Sequence, residues 1–177
     1  MNQLINIFEK ANRIFLDKEK NLILSGVSER TLCGSLMQYI QKEIKTTKYN
    51  RYYVDVEYNR NNGKIKTIIN KEKEVIPINC DIIVHSRGEI IEKDNLIAIE
   101  MKKSTARKKE KIKDKNRLIA LSKEKYDDVW SYDGKSFPEH VCGYRLGIYY
   151  EIDDRKRQLL IEYYSQGILH YGKEVKF

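Results

Sequence analysis

One short stretch of the sequence, Asn95–Lys103, combines an apolar run with two ionisable side chains of opposite sign. Four aliphatic residues follow a turn-like Lys-Asp-Asn segment, and a short aliphatic run of this kind is typical of a buried strand. Because side chains alternate along a strand, Glu100 and Lys102 share one face and lie about 6 to 7 Å apart. A carboxylate and an ammonium group therefore lie side by side on one face at the end of this strand, which makes it a candidate functional site.

A second acidic residue stands beside another apolar run. Asp81 comes directly before Ile82-Ile83-Val84, which we interpret as the strand that precedes Asn95–Lys103. Strands that follow one another in sequence commonly pair, so Asp81 and Glu100 can converge at one edge of a sheet.

A third carboxylate lies at the start of a predicted helix with Ser28 as its N-cap. Glu29 is three, four, seven and eleven positions from the apolar residues of that helix, which places it on the buried edge. These apolar residues are Leu32, Cys33, Leu36 and Ile40. Two interpretations remain open: an inward-facing site residue, or an ordinary first-turn acid favoured by the helix dipole.

The spacing of Asp81 and Glu100-Met101-Lys102 resembles the core of the PD-(D/E)xK nucleases, the restriction-endonuclease-like superfamily. A glutamate on a preceding helix matches Glu29. The proline that this family has before the aspartate is absent here, because Asn79-Cys80 precede Asp81. The segments that look like those of small uncharacterised bacterial members are Ser28–Arg30, Glu57–Arg60, Cys80–His85 and Ile99–Lys103.

The resemblance implies a role for each of these side chains. Asp81 and Glu100 would be ligands of Mg²⁺, with Mn²⁺ as a substitute, and Glu29 would hold a metal-bound water or a second ion. The metal would polarise a phosphate and lower the pKa of a bound water. Lys102 would orient that water and offset negative charge rather than act as an outright base. Glu57 is a competing acidic residue, or the partner of Arg60 in a structural ion pair.

Positive charge is concentrated directly behind this strand. The chain carries a net charge of +8, and nine basic residues between Lys102 and Arg117 face only two acidic ones, Glu110 and Asp114. This segment predicts contact with the phosphate backbone of nucleic acid, although a solvated helix face is the plainer alternative. The predicted nucleic-acid contacts are Lys103, Arg107, Lys108, Lys111, Lys115 and Arg117.

The elements that must position these residues can be read from periodicity. We predict helices over about residues 3–17, from Ser28, and over residues 105–127. We predict strands over residues 51–58, 64–69, 75–86, 95–103, 144–152 and 158–164, with 51–58 and 64–69 forming a hairpin and a short tail after Gly167. The fold class is therefore α/β, and the resemblance implies a restriction-endonuclease-like mixed central sheet flanked by helices.

The length and composition indicate which general class of protein this chain belongs to. A chain of 177 residues, 34% of them charged, predicts one soluble domain over residues 1–177 with the N-terminal helix packed on it. Three widely spaced cysteines support neither a disulfide framework nor a zinc site, and no apolar run approaches a membrane span. We expect a cytoplasmic protein that does not bind membranes, and a homodimer is compatible with the sequence. We also expect His85, His140 and His170 to be structural.

The predicted function is that of a metal-dependent nuclease that hydrolyses phosphodiester bonds, with DNA as the expected substrate. Two alternatives remain open. One is a catalytically inactive nuclease-fold protein that binds nucleic acid or a protein partner, because a fold does not establish an activity. The other is a basic RNA-binding protein of unrelated fold.

Overall fold

A computed structural model describes most of the chain: residues 1–58, 60–61, 64–65, 67–69, 75–77, 80–90, 93–124 and 142–177. Within residues 60–77 it describes the backbone alone. The helices are α1 (Asn2–Lys18), α2 (Lys20–Leu24), α3 (Glu29–Lys45) and α4 (Lys108–Leu121). No helix in these ranges has the length and apolar content needed to cross a membrane.

Ten strands accompany the helices in the described ranges. They are β1 (Tyr53–Val56), β2 (Arg60–Asn61), β3 (Lys64–Ile65), β4 (Thr67–Ile69), β5 (Val75–Pro77), β6 (Ile82–His85), β7 (Asn95–Lys103), β8 (Leu146–Asp153), β9 (Gln158–Ser165) and β10 (Ile168–Lys176). Six of them form one sheet in the order β1-β6-β7-β8-β9-β10. All neighbours in this sheet are antiparallel except β7 and β8, which are parallel. The predicted α/β class is confirmed as a mixed six-stranded sheet with helices.

The sheet separates two apolar layers. Ile97, Ile99 and Met101 of β7 pack with the buried residues of α1 and α3, whereas Ala98 packs with Leu118 and other residues of α4. This arrangement confirms the predicted alternation along β7. It also directs Glu100, which follows Ala98 on the same face, toward α4.

The predicted helix ends near the candidate site are partly confirmed. Helix α3 begins at Glu29, and its N-cap Ser28 accepts a hydrogen bond from the Thr31 backbone N–H at 3.2 Å. Helix α4 is shorter than predicted, because residues 104–106 form a turn and Arg107 has extended backbone angles. At its other end the helix stops at Leu121, with Ser122 as C-cap, while residues 125–127 lie outside the described ranges.

The predicted hairpin between residues 51–58 and 64–69 is wrong. Strand β1 pairs with β6, in the register Val56 to Ile82, while β2 pairs with β3 and β4 with β5 in two small separate sheets. The predicted strand over 75–86 is accordingly two strands. The physical reason is burial: every residue of β6 is buried, so pairing with β6 brings β1 into the core. The loop predicted over residues 71–74 lies outside the described residues.

The predicted short tail is also wrong, because residues after Gly167 form β10 at the edge of the main sheet. Most side chains of β10 are exposed. A strand with two exposed faces needs no alternation of apolar and polar residues, so its sequence gives little sign of a strand. The strands predicted over 144–152 and 158–164 are confirmed as β8 and β9. All three cysteines are described, and none forms a disulfide.

Candidate active site

Glu100 is the most deeply buried acidic residue at the candidate site, with 1% of its surface exposed. The Arg117 Nη1 atom donates to Glu100 Oε1 at 2.6 Å, and the Cys80 thiol donates to the same oxygen at 3.4 Å. Burial raises the pKa of Glu100 to about 8, although the Arg117 guanidinium acts to lower it. A further cation beside this carboxyl group would lower its pKa and keep it ionised.

Asp81 lies beside Glu100 at the start of the neighbouring strand. Ile82 pairs with Ile99, so the next position along the antiparallel ladder sets Asp81 opposite Glu100. The Asp81 Oδ2 atom accepts the Met101 backbone N–H at 2.7 Å. Burial raises the pKa of Asp81, against the lowering effect of that hydrogen bond and of the Lys102 charge. The sequence-based expectation that the two carboxylates converge is therefore met.

The Lys102 ammonium group is enclosed by three acceptors. Its Nζ atom lies 3.0 Å from Asp114 Oδ2, 3.2 Å from the Met101 carbonyl oxygen and 3.4 Å from Glu29 Oε2. Burial acts to lower the pKa of Lys102, but the surrounding carboxylates, Asp114 first, outweigh it and raise the pKa above its usual 10.5. A lysine held in its charged form can orient and stabilise, but it cannot accept a proton near neutral pH.

Glu29 reaches the end of β7 from the first turn of α3. Its Oε1 atom accepts the Lys103 backbone N–H at 2.8 Å, and its Oε2 atom faces the Lys102 ammonium. Glu29 is thus a first-turn acid, as one interpretation had it, and it also faces the strand; its role as a site residue stays a prediction. Helix α3 therefore places its N-terminus and one carboxylate against the strand that carries Glu100 and Lys102.

Asp114 is a residue of this cluster that sequence reasoning counted only as a charge. It is 5% exposed; its Oδ1 lies 3.4 Å from Arg117 Nη1, and its Oδ2 faces Lys102 without the geometry of a hydrogen bond. The sequence nevertheless contained a signal that Asp114 is buried. Asp114 is four and seven positions before the apolar Leu118 and Leu121, which is the offset pattern that identified Glu29.

The predicted nucleic-acid contacts fall into two groups. Four of them bind within the protein: Lys103 donates to the Gly26 carbonyl, Lys111 pairs with Glu151, Lys115 pairs with Glu162, and Arg117 pairs with Glu100, at 2.6 to 2.8 Å. Arg107 and Lys108 are exposed at the start of α4. Only these last two remain plain candidates for contact with a phosphate backbone.

A cleft of about 410 Å³ opens beside Glu29 and Asp81. Glu57 lines it with a positive φ of 50°, and it binds the Arg30 guanidinium through both oxygens, with Arg30 Nε donating to Oε1 at 2.8 Å. The side chain of Arg60, the partner predicted from the sequence, lies outside the described residues. The Arg30–Glu57 pair therefore forms part of the wall of a cleft that leads to the carboxylates.

The two neighbouring carboxylates, Asp81 and Glu100, are the candidate ligands for a divalent cation. No group of three or more His, Cys, Asp or Glu side chains suited to a metal ion is found among the described residues. Mg²⁺, however, is commonly held by one or two carboxylates and several waters. The hydrogen bonds above use Asp81 Oδ2 and Glu100 Oε1, which leaves the second oxygen of each carboxylate for an ion. Two adjacent, desolvated carboxylates fit Mg²⁺ or Mn²⁺ in their chemistry.

A second ion-pair cluster lies at the other end of β6 from Asp81. Asp55 of β1 accepts hydrogen bonds from Arg87 Nε at 2.8 Å and pairs with His85 Nε2 at 2.8 Å. His85 is buried and held by this contact, so its structural role stays a prediction that fits the geometry, while His140 lies outside the described residues. Like Glu100, Asp55 is a carboxylate paired with an arginine, but it lies away from the candidate site.

Comparison of the chain with family models, curated proteins and solved structures returned no match in any of the three. What can be said of the chemistry of the cluster rests on its own geometry. That geometry is four charged side chains, from α3, β7 and the residue before β6, at one end of the sheet. A fifth and a sixth, Asp114 and Arg117, join them from α4.

Proposed function

We propose that this protein is a metal-dependent nuclease of the PD-(D/E)xK superfamily that hydrolyses phosphodiester bonds in DNA. The observation that carries the proposal is the convergence of Glu29, Asp81, Glu100 and Lys102 at one end of the sheet. These residues are up to 73 positions apart in the chain, and an accidental ExK triplet on a solvated strand would have no such neighbours.

The fold supports the same proposal at a finer level. A restriction-endonuclease-like sheet should be mixed, flanked by helices and carry its carboxylates on neighbouring strands. Strands β6 and β7 meet that requirement, α1 and α3 cover one face, and α4 covers the other. Helix α4 contacts β7 and begins with the exposed cations Arg107 and Lys108, which would contact a nucleic acid in this proposal.

Each side chain has a defined task in this proposal. Asp81 and Glu100 would hold Mg²⁺, or Mn²⁺ as its substitute, and Glu29 would hold a water or a second ion from across the site. The bound ion supplies polarisation of the phosphoryl group and a lower pKa for a coordinated water. Lys102, kept in its charged form, orients the attacking water and offsets the negative charge that develops on the phosphate.

The wider properties of the chain agree with a nucleic-acid partner. A net charge of +8 attracts polyanions, and exposed Arg107 and Lys108 extend that charge beside the site. Cysteines without disulfides suit a reducing cytoplasm, which is where we place the protein. A homodimer would suit cleavage of both strands of a duplex.

The test is a cleavage assay with purified protein. Plasmid, single-stranded DNA and RNA are each incubated with Mg²⁺, Mn²⁺ or EDTA, and Glu100→Gln and Lys102→Met proteins are assayed beside Asp55→Asn as a control. We expect cleavage of DNA that needs the metal, survives Asp55→Asn and falls at least about 100-fold in both site variants. Cleavage that persists in Glu100→Gln and Lys102→Met would remove the proposed site.

One observation favours a second candidate, a nuclease-fold protein that binds nucleic acid or a protein partner without cleaving. Arg117 pairs with Glu100, and Asp114 and Glu29 pair with Lys102, so each of these side chains has an ionic partner within the protein. Saturable binding of DNA or RNA with no cleavage in either metal would support this candidate. RNA bound in preference to DNA would favour an RNA-binding role.

A further inference from the structure

Helix α4 contributes two charged residues that complete an alternating row of charges through the site. The row runs from Glu100 to Arg117, to Asp114, to Lys102 and to Glu29, with successive nitrogen–oxygen distances of 2.6, 3.4, 3.0 and 3.4 Å. Arg117 Nη1 forms ion pairs with both Glu100 and Asp114. The two groups with the most specific chemical roles, Glu100 and Lys102, are thus joined through one helix.

The burial of Asp114 and Arg117 sets them apart from the other charges of α4. Their side chains are 7% and 17% exposed, whereas Lys108, Lys109 and Lys113 lie in the solvent. A buried carboxylate is unfavourable unless it is paired, and the partners of Asp114 are the two cations of this row. Replacement of both residues by apolar side chains would stabilise many proteins as well or better, so stability alone does not account for them.

We infer that Asp114 and Arg117 are positioning residues for the proposed cleavage, with Asp114 fixing the ammonium group of Lys102 and Arg117 fixing the carboxylate of Glu100. The inference rests on the proposed function. Helix α4 then sets the distance between the group that orients water and the group that holds the ion. This is a role for α4 in addition to contact with nucleic acid.

The geometry at Lys102 explains why Asp114 matters. The Lys102 ammonium donates hydrogen bonds to Glu29 and to the Met101 carbonyl oxygen, and the Asp114 charge attracts it as an ion pair at 3.0 Å. Without the Asp114 charge only Glu29 and the carbonyl oxygen hold the ammonium, which can then turn toward Glu29. Misplacement of a reacting group by about 1 Å can reduce a rate by roughly 100-fold.

The kinetic test compares Asp114→Asn and Arg117→Lys with the Asp55→Asn control; Arg117→Lys keeps the charge but not the planar guanidinium and should also lower kcat. Asp114→Asn keeps the shape and removes the charge; we expect kcat to fall about 10- to 100-fold with KM within about threefold. Asp114→Glu, which restores the charge, should recover part of the loss. Asp55→Asn removes a comparable arginine-bound carboxylate and should leave kcat within about twofold. Equal kcat values for Asp114→Asn and Asp55→Asn would overturn the inference.

A second readout is independent of cleavage. In ¹⁵N NMR spectra the Lys102 ammonium, assigned by its loss in Lys102→Gln, should give a slowly exchanging signal in the wild-type protein. We expect Asp114→Asn to broaden or abolish that signal and Asp55→Asn to preserve it. An unchanged signal in folded Asp114→Asn overturns the inference even if the wild type cleaves DNA. Failure of the wild type to cleave overturns the proposed function, while the NMR result still decides whether Asp114 holds Lys102.

Discussion

At the scale of single residues, the site depends on the protonation of one buried carboxyl group. Glu100 is almost fully enclosed, and Arg117 is the cation in direct contact with it. This guanidinium, which also contacts Asp114, offsets only part of the cost of burying the charged form, so the pKa of Glu100 is raised to about 8. The balance at Glu100 is therefore sensitive to Arg117 and to pH.

We predict that Arg117→Met destabilises the protein by about 3–5 kcal/mol at pH 9. Burial raises the folded-state pKa of Glu100 to about 8 from its usual 4.5, so its stabilising effect is fully present below about pH 4.5 and is lost as the pH rises through 8. Without Arg117 the pKa rises further. The deficit should therefore shrink between pH 9 and pH 6, as measured by urea unfolding.

The control for this prediction is the double variant Glu100→Gln/Arg117→Met. It has no ionisable group at position 100, so the difference between pH 6 and pH 9 should disappear. A deficit of the same size at both pH values in the single variant would contradict the assignment of the effect to Glu100.

The same residues show what could be predicted from the sequence. Offsets to apolar neighbours identified Glu29, because that signal is local to one helix. The partners of Lys111 and Lys115 could not be found this way, since Glu151 and Glu162 are 40 and 47 positions away. The sequence pattern of a dense run of lysines is the same whether the lysines face solvent or bind carboxylates on a strand.

At the scale of elements, two helices must be held accurately against β7. Helix α4 approaches the sheet at Gly147 of β8, where an added Cβ atom would lie 3.2 Å from the Tyr164 Cβ and 3.4 Å from the Leu118 Cβ. The first distance is shorter than about nine in ten Cβ contacts in proteins, and the second is at the limit of ordinary van der Waals contact. The glycine therefore permits the close approach of Tyr164 on β9 and leaves Leu118 of α4 just in contact.

We predict that Gly147→Ala destabilises the protein by about 1–3 kcal/mol, because Tyr164 on the paired strand must shift by a few tenths of an ångström and Leu118 of α4 is already in contact. Any displacement of Leu118 moves α4 and lengthens the contact between Arg117 and Glu100, so cleavage should fall as well. Gly34→Ala in α3 is the matched control: nothing lies within 4 Å of its Cβ position, and we expect a gain of about 0.5–1 kcal/mol. Chemical unfolding and cleavage rates measure both effects; a neutral Gly147→Ala would exclude this packing argument.

Helix α3 offers a separate test at its N-terminus. Ser28→Ala removes the cap on the Thr31 N–H and should cost about 1 kcal/mol in unfolding free energy. Because Glu29 is the first residue of the helix, fraying there should also reduce cleavage. Ser28→Thr, which can cap, should retain both properties. Loss of cleavage in Ser28→Thr would instead indicate that the serine itself has a role in the cleft.

The elements that sequence reasoning missed share one physical cause. The pairing of β1 with β6 and the strand character of β10 are decided by contacts between distant segments, not by local propensity. Burial on both faces made β6 and β7 easy to predict, because both are continuous apolar runs. A strand with exposed faces, such as β10, has no comparable pattern.

At the scale of the whole molecule, the surface charge that remains for a partner is smaller than the sequence suggests. Of the basic residues between 102 and 117, four are engaged in ion pairs inside the protein. Those exposed on the described surface of this segment are Arg107, Lys108, Lys109 and Lys113. Non-specific binding to nucleic acid should therefore depend on the start of α4.

We predict that Arg107→Gln/Lys108→Gln weakens DNA binding and lowers the slope of log affinity against log salt by about two, because each contact releases roughly 0.9 counterion from a duplex. Fluorescence anisotropy between 50 and 300 mM salt measures the slope. Lys18→Gln/Lys20→Gln, which removes two exposed charges near the end of α1, is the control and should change the slope little. Equal slopes for the two double variants would place the binding surface elsewhere.

The pairing of β1 with β6 has a consequence for the modularity of the chain. The backbone N–H of Glu57 donates to the carbonyl oxygen of Asp81 at 3.1 Å, so the segment between them leaves the main sheet and returns to it at one point. Replacement of residues 59–79 by a short glycine-containing turn should keep the β1–β6 ladder, and the lost contacts between β4 and α4 should oppose the gain of roughly 1 kcal/mol from the shorter loop. Circular dichroism and urea unfolding would report that outcome. The segment rejoins the sheet at Asp81, which is one of the proposed site residues. Other recognition loops inserted between residues 58 and 80 would therefore lie beside the site, and the strands of the main sheet would not need to change.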